Sequence, residues 1–312
     1  LSGRCVLCGS LEAKRLFTAS DRLYRTTSER FQVVACRKCG MLRLSPQPDD
    51  VSRYYPEDYW FTPSENVASR LEEFYRRVVL RDHLRFVAGA LRGADGPVVD
   101  VGCGGGLLGN LLIRNSVKYI GFEFSKSAAA LAWRGNGVPA VCGMLPQAPF
   151  RRASCAAITM FHVLEHLSDP GAYLEAAREL LVPGGSLIVQ VPNAASWQAR
   201  LFGRRWNGLD VPRHLNNFRA SDLERLVARS GFEVVRAKHF SLRDNPAGLA
   251  TTLAPSLDPM ARRVRGLSEP ASGRLAKDLV YMSLVLAALP FAALEAAFRA
   301  GATVMLHARK RE

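Results

Sequence analysis

Acidic residues are in short supply in this chain of 312 residues, which carries 28 Asp and Glu against 42 Lys and Arg for a formal net charge of +14. That balance favours acidic partners such as nucleic acid, phosphorylated metabolites or anionic membrane surfaces. Long basic blocks are also missing. The clusters are short, at Arg204-Arg205, Arg262-Arg263 and Arg309-Lys310-Arg311. Without a concentrated basic stripe or aromatic-interleaved basic motifs, nucleic acid is the weaker choice of partner. The longest apolar run, residues 279–294, is interrupted by Pro290 and falls short of the roughly 20 residues a bilayer-spanning helix needs. No internal repeat or low-complexity tract is present. Residues 1–10 are polar and cysteine-bearing rather than leader-like, so the expected compartment is a reducing cytoplasm. The remainder, 48% hydrophobic and 22% charged, is ordinary for a globular protein and can bury one core plus an appendage.

The most informative stretch is Val98-Val99-Asp100-Val101-Gly102-Cys103-Gly104-Gly105-Gly106. A β-branched run with an acid leads into a glycine turn, and an apolar helix start follows, the architecture that brings backbone close to a nucleoside cofactor. A dinucleotide fingerprint would need glycine at 107, where Leu107 stands. The pattern is instead D-x-G-x-G-x-G. Glu123 ends the next strand, 23 positions after Asp100, in register to accept hydrogen bonds from ribose hydroxyls. Two more landmarks follow in order: an apolar strand at 156–161 running into His162-Val163-Leu164-Glu165-His166-Leu167-Ser168-Asp169-Pro170, and Pro183-Gly184-Gly185 turning into a strand that ends at Pro192-Asn193.

Together these landmarks resemble the class I S-adenosylmethionine (SAM) methyltransferases. The resemblance implies an α/β fold with a seven-stranded Rossmann-like sheet, SAM as cofactor, and contacts to it from Asp100, Gly102, Cys103, Gly104, Gly106, Glu123, Phe124, Met144, Phe161 and His162. Two departures stand out. Gly143-Met144 occupies the place of the usual adenine-holding acid, and Cys155-Ala156 that of the usual Phe-Asp.

Four of the seven cysteines form two C-x-x-C pairs, Cys5/Cys8 and Cys36/Cys39, each followed by glycine. Four thiolates satisfy tetrahedral zinc and leave no open position, so the expected metal is structural Zn²⁺ in an N-terminal ribbon. Cys103, Cys142 and Cys155 read as packing residues.

Methyl transfer from a sulfonium is an in-line displacement in which the protein aligns the nucleophile and removes its proton. His162, Glu165 and His214 are the candidate catalytic residues. The ubiquinone-biosynthesis and small-RNA methyltransferases carry E-x-x-E-H where this chain has H-x-x-E-H, so His162, Glu165, His166 and His214 also form a candidate second divalent-metal set. Three imidazoles and a carboxylate would suit zinc, manganese or iron better than magnesium. The segment 200–218 resembles the pocket wall of natural-product methyltransferases and offers Trp206, Arg213 and Asn217, with Asn193 nearby, as substrate contacts.

The expected organisation is a zinc ribbon over 1–45, a linker over 46–66, a SAM-binding core over 67–240, a helical insertion over 241–302, and a final strand with a basic tail over 303–312. Tyr54, Tyr55, Tyr59 and Trp60 would lid the site or, preferably, glue the ribbon to the core. An amphipathic helix is expected over 67–91, and a Ser221-x-x-Glu224 capping box at the helix 223–229. The insertion reads as a buried helical hairpin ahead of a lid, a peripheral membrane contact or a homodimer contact. The favoured function is methyl transfer to a hydroxyl of a small or medium-sized metabolite. An RNA methyltransferase and a non-catalytic SAM-binding scaffold are the rivals.

Overall fold

Apolar strands that alternate with amphipathic helices can bury both sheet faces only as a parallel, crossover-connected sheet. The computed structural model describes residues 3–56, 67–91 and 95–311, and two sheets organise them. In chain order the elements are β1 (Ala13–Ser20), β2 (Arg30–Cys36), β3 (Leu42–Leu44), α1 (Val67–Ala90), β4 (Val98–Val101), α2 (Leu107–Arg114), β5 (Tyr119–Glu123), α3 (Lys126–Asn136), β6 (Ala140–Cys142), β7 (Cys155–Phe161), α4 (Pro170–Leu180), β8 (Leu181–Pro192), α5 (Trp197–Phe202), β9 (Asn216–Asn217), α6 (Ala220–Arg229), β10 (Phe232–Lys238), α7 (Asn245–Leu253), α8 (Pro259–Val264), α9 (Ala271–Ala297) and β11 (Thr303–Lys310).

The larger sheet has seven strands in the order β10-β11-β8-β7-β4-β5-β6. Strands β4 to β8 pair in parallel, and β11 inserts antiparallel between β8 and β10. This is the Rossmann-like methyltransferase sheet expected from the sequence. Its central strands are apolar on both faces because helices cover both: Val99, Ile158, Met160, Leu187 and Val189 are buried. Helix caps follow local chemistry. Ser125 accepts from Ala128 N, and Asp169 from Ala172 N with Pro170 at the first turn.

Local expectations are corrected at several points. The cap of α6 is Arg219 with Asp222, not Ser221 with Glu224, and the helix begins at Ala220. The Pro183-Gly184-Gly185 turn does not precede a strand. It bulges within β8, where Leu181 pairs with Cys155 and Ser186 with Ala157. On α1, Phe74 is exposed, and the buried stripe is Val79, Leu80, His83, Phe86, Val87 and Ala90. The insertion is no buried hairpin. α9 runs unbroken through Pro290 for 27 residues, by length and composition long enough to cross a membrane, and much of its surface is exposed. Of the four linker aromatics, Tyr59 and Trp60 lie outside the described residues.

The smaller sheet, β1-β2-β3-β9, takes its fourth strand from outside the N-terminal ribbon. Asn216 and Asn217 pair with Arg43 and Leu42. Next to that junction Phe31, Val33 and Leu44 share a buried cluster with Tyr54, Trp206, Leu209 and Leu215. Beside this cluster the Arg213 guanidinium is fully buried. Its Nη2 donates to Asp21 Oδ1 at 3.0 Å and to Asp210 Oδ1 at 2.7 Å, and its Nη1 to the Tyr54 carbonyl at 3.3 Å. The Tyr24 ring stacks 4.4 Å from it.

Burial would push both carboxyls up in pKa, but Arg213 outweighs it and holds Asp21 and Asp210 below the ordinary carboxylate range. With folded pKa values depressed, this stabilisation is complete above the unfolded carboxylate pKa near 4 and fades only as pH falls through the lower folded values. Arg213→Ala strands two buried carboxylates and should cost about 3–5 kcal/mol at neutral pH. Urea denaturation measures this, and an unchanged midpoint would show that the triad contributes little.

Candidate active site and cysteine cluster

In an open sheet of this kind ligands bind outside the C-terminal strand ends, where the order reverses. Here the reversal lies between β4 and β7. The glycine turn after β4 and the loop after β7 therefore share one crevice. They also touch: a Cβ on Gly102, whose φ is +72°, would lie 2.6 Å from Val163 Cγ2.

Glu123, at the end of β5, folds over this turn. Its Oε2 accepts from Gly104 N at 2.9 Å and its Oε1 from Ser125 N at 3.0 Å. Phe124 and Met144 are each more than half exposed beside these strand ends. A fixed carboxylate, an open glycine turn and two exposed apolar side chains fit a ribose with an adenine face, and Gly104 and Gly106 keep the turn in the left-handed region. Cys103 is partly buried, with its thiol pushed up by burial and by the carboxylates of Asp100 and Glu123.

Asp100 is employed differently from the sequence expectation. Its carboxylate turns into the sheet and accepts from Thr159 Oγ1 at 2.5 Å and Tyr119 OH at 2.7 Å. The side chain serves as an internal brace, and its burial raises its pKa to about 6.

After β7 the histidines divide. His162 sits at φ +57°, an uncommon conformation for a residue with a Cβ. Its Nδ1 lies 3.0 Å from Glu165 Oε1, and its Nε2 lies 2.8 Å from Gln190 Nε2 and 3.5 Å from Asp244 Oδ2. An amide nitrogen only donates, so in the neutral ring Nε2 accepts and the ring proton sits on Nδ1, facing Glu165. Burial opposes a charged ring, but Asp244 and Glu165 outweigh it and raise the His162 pKa to about 9.

Asp244, just ahead of α7, also accepts from Gln190 Nε2 at 2.6 Å and Ser241 Oγ at 2.5 Å. The sequence reading missed it because the insertion carries no motif. An isolated acid in a motif-free segment gives no signal. His83 on α1 was missed as well. It is fully buried 3.8 Å from Asp244 Oδ2, against the Phe161 ring, and its pKa is pushed down to about 3 by burial and by Arg243.

The remaining candidates gather on the other side of Glu165. Ligand atoms of Glu165, His166 and His214 lie within 4.8 Å of one another, without His162, so the four-residue metal set is reduced to three. His166 Nδ1 faces the Arg213 carbonyl at 3.0 Å and Tyr55 OH at 2.8 Å, and His214 Nδ1 faces the Gly208 carbonyl at 2.9 Å. Donation from Nδ1 to those carbonyls leaves each Nε2 with a free lone pair. Burial and neighbouring His214 lower the His166 pKa to about 4. Glu165 Oε2 is buried without a hydrogen-bond partner among the described residues. A buried orphan acceptor beside two imidazoles fits a divalent cation.

The expected substrate contacts are used inside the fold instead. Asn193 donates to the Gly301 carbonyl and accepts from Ala195 N and Ala220 N. Trp206 is buried at the ribbon junction, Arg213 is the buried clamp, and Asn217 pairs within β9. In the ribbon, Cys5, Cys8, Cys36 and Cys39 converge with all four sulfurs within 4.8 Å, Cys5 to Cys39 and Cys8 to Cys36 at 3.5 Å. That spacing matches four thiolates around one tetrahedral ion at about 2.3 Å.

Comparison with known proteins identifies the family of the domain that carries this crevice. The profile of a family described as a methyltransferase domain matches residues 71–237. The chain is 28% identical over 182 residues to a Mycolicibacterium smegmatis protein named as a probable S-adenosylmethionine-dependent methyltransferase, covering 57% of this chain and 61% of that one. It is 33% identical over 116 residues to a ubiquinone biosynthesis O-methyltransferase of Xanthomonas axonopodis pv. citri, covering 35% of this chain and 48% of that protein. The chain thus spans only about half to three-fifths of the length of these curated relatives. A SAM-dependent methyltransferase structure from Archaeoglobus fulgidus shares the fold, with a TM-score of 0.50 and 15% identity over 78% of this chain and 100% of that chain.

The Asp100 brace generates a pH prediction. A carboxyl raised to about 6 in the folded state contributes stability that is complete below its unfolded pKa near 4 and is lost as pH rises through 6. Asp100→Asn should therefore raise the melting temperature at pH 8, by on the order of 2–3 kcal/mol in stability, with a smaller gain at pH 5. Melting curves at the two pH values decide it; an equal or negative effect at pH 8 would contradict the assignment.

Proposed function

The chain belongs to the methyltransferase-domain family, and on that premise we propose that it transfers a methyl group from SAM to a hydroxyl of a small or medium-sized metabolite such as a sugar, polyketide or quinone. The observation that carries this reading is His162, held between Glu165 and Asp244 just past the C-terminal end of β7. Bound SAM supplies a sulfonium whose methyl carbon is the electrophile of an in-line displacement. Glu123 and the turn from Gly102 to Gly106 hold the nucleoside end.

His162 in its neutral form presents Nε2 as the acceptor of the hydroxyl proton, in the place where Gln190 Nε2 now donates. The proton then remains on Nε2 facing Asp244 while Nδ1–H stays on Glu165, so the two carboxylates stabilise the product imidazolium. His214 and Glu165 complete the expected catalytic set, Glu165 as the group that orients His162. The likeness to a ubiquinone biosynthesis O-methyltransferase supports a hydroxyl acceptor.

The four ribbon thiolates are assigned a structural zinc, which closes the ribbon without entering the chemistry. A second divalent ion at Glu165, His166 and His214 is the alternative reading of the site, supported by the orphan Glu165 Oε2. It would supply Lewis acidity next to the acceptor.

The first test incubates the protein with methyl-labelled SAM and crude cell extract, then separates small-molecule, lipid, RNA and protein fractions. Label in the small-molecule or lipid fraction is the expected result. Label in RNA would favour the RNA reading, and tight SAM binding without any labelled product would favour a scaffold. Once an acceptor is identified, His162→Asn, which tolerates positive φ, should lower turnover by roughly 10²–10⁴ with little change in SAM affinity. Wild-type turnover should rise with pH toward about 9 as the His162 ring loses its proton. Glu123→Ala should weaken SAM binding, and His214→Ala should slow turnover while sparing it. Full activity in His162→Asn would end its role as base.

Metal analysis should find one zinc per chain that is lost in Cys36→Ser together with thermal stability. A second equivalent that disappears in His214→Ala would establish the second site.

A further inference from the structure

α9 presents a surface that neither the cofactor crevice nor the ribbon explains. Its inner face is committed to the protein. Tyr281, Val285, Ala288 and Ala292 are buried, Tyr281 OH meets Thr251 Oγ1 at 2.8 Å, and Glu295 accepts from Gln198 Nε2 at 2.6 Å. On the outer face Leu275, Leu279, Val280, Leu286 and Leu294 are each more than half exposed, and Phe298 continues the row just past the helix end. At 1.5 Å per residue, 27 residues make a ridge about 40 Å long. An exposed apolar stripe of this length marks a binding surface.

Charge identifies what covers it. The two carboxylates of the helix are both withdrawn: Asp278 pairs with Arg262, and Glu295 is buried. The C-terminal end of the ridge adjoins α5, where Trp197 packs 5.3 Å from Phe298 and 6.2 Å from Phe291. α5 and the turn after it expose Leu201, Arg200, Arg204 and Arg205, with Arg299 beside Phe298. Arg274 is exposed at the other end.

We propose that α9 and α5 dock the protein on an anionic lipid bilayer, with the leucine ridge in the acyl boundary and these arginines among the headgroups. A second copy fits worse. Both ends of the ridge carry exposed arginines and its outer face has no carboxylate to receive them, so either orientation of two helices opposes like charges. Spanning fits worse too, since it would strip Tyr281 and Glu295 of their buried partners. An apolar face with a basic rim, lying in the interface, is the arrangement left.

The test is co-sedimentation of the full chain with vesicles of phosphatidylcholine alone and of phosphatidylcholine mixed with phosphatidylglycerol. Binding is expected to the mixed vesicles, to weaken with salt, and to be weak on phosphatidylcholine alone. The triple variant Arg200→Gln, Arg204→Gln, Arg299→Gln should weaken it by on the order of 100-fold. Leu279→Asp with Leu286→Asp should abolish it. Leu11→Asp, an exposed ribbon position, should leave it unchanged, and melting curves confirm that each variant folds. No binding to anionic vesicles overturns the proposal, as does equal binding to both vesicle types that is insensitive to the arginine changes. A soluble dimer that Leu279→Asp with Leu286→Asp converts to monomer, without vesicle binding, would assign the ridge to a second copy.

Discussion

A guanidinium cut off from water must have its charge met by the protein, and at Arg213 two carboxylates from distant parts of the chain do so. Asp21 comes from the ribbon and Asp210 from the segment after α5, so neither region can settle without the other. The same segment carries Asn216 and Asn217 into the ribbon sheet. It also presents the Arg213 carbonyl to His166 and sets His214 edge-on to that ring, with centroids 4.6 Å apart. The histidine pair beside Glu165 is therefore positioned from the ribbon side, through a buried ion triad.

Two histidines four residues apart are driven in opposite directions by their surroundings. His162 is ringed by carboxylates and favours its proton, whereas His166 is packed against Tyr55 and a second imidazole and sheds it. Divergent pKa values in one loop would let the base proposed at His162 and the metal ligand proposed at His166 work side by side. Glu165 lies between them, one oxygen on His162 and the other without a partner among the described residues. It is the hinge of the site, whichever side carries the reaction.

Much of the fold was legible because its signals are local. The glycine turn, the acid 23 residues on, the Asp169-Pro170 helix start and the two C-x-x-C knuckles each follow from short-range chemistry. What was not legible depends on distant partners. Trp206, Arg213 and Asn217 have the composition of a pocket wall, and only the tertiary structure shows them spent on the ribbon junction. Asp244 and His83 carry no motif and become visible only when α1 and the insertion bring them to His162. Pro290 suggested a break, yet α9 passes through it, because packing of its inner face outweighs one lost backbone bond.

The fourth strand of the ribbon sheet has a consequence for how this architecture could arise. A ribbon that borrows β9 from the chain it precedes is not a portable module. Excised, it would bare the open edge of β3 along with Phe31 and Leu44; grafted elsewhere, it would find no strand to complete it. The catalytic part without it would be left with a dangling two-residue strand and an exposed Trp206. Losing or exchanging either part would therefore require rebuilding the segment from 203 to 218, which serves both.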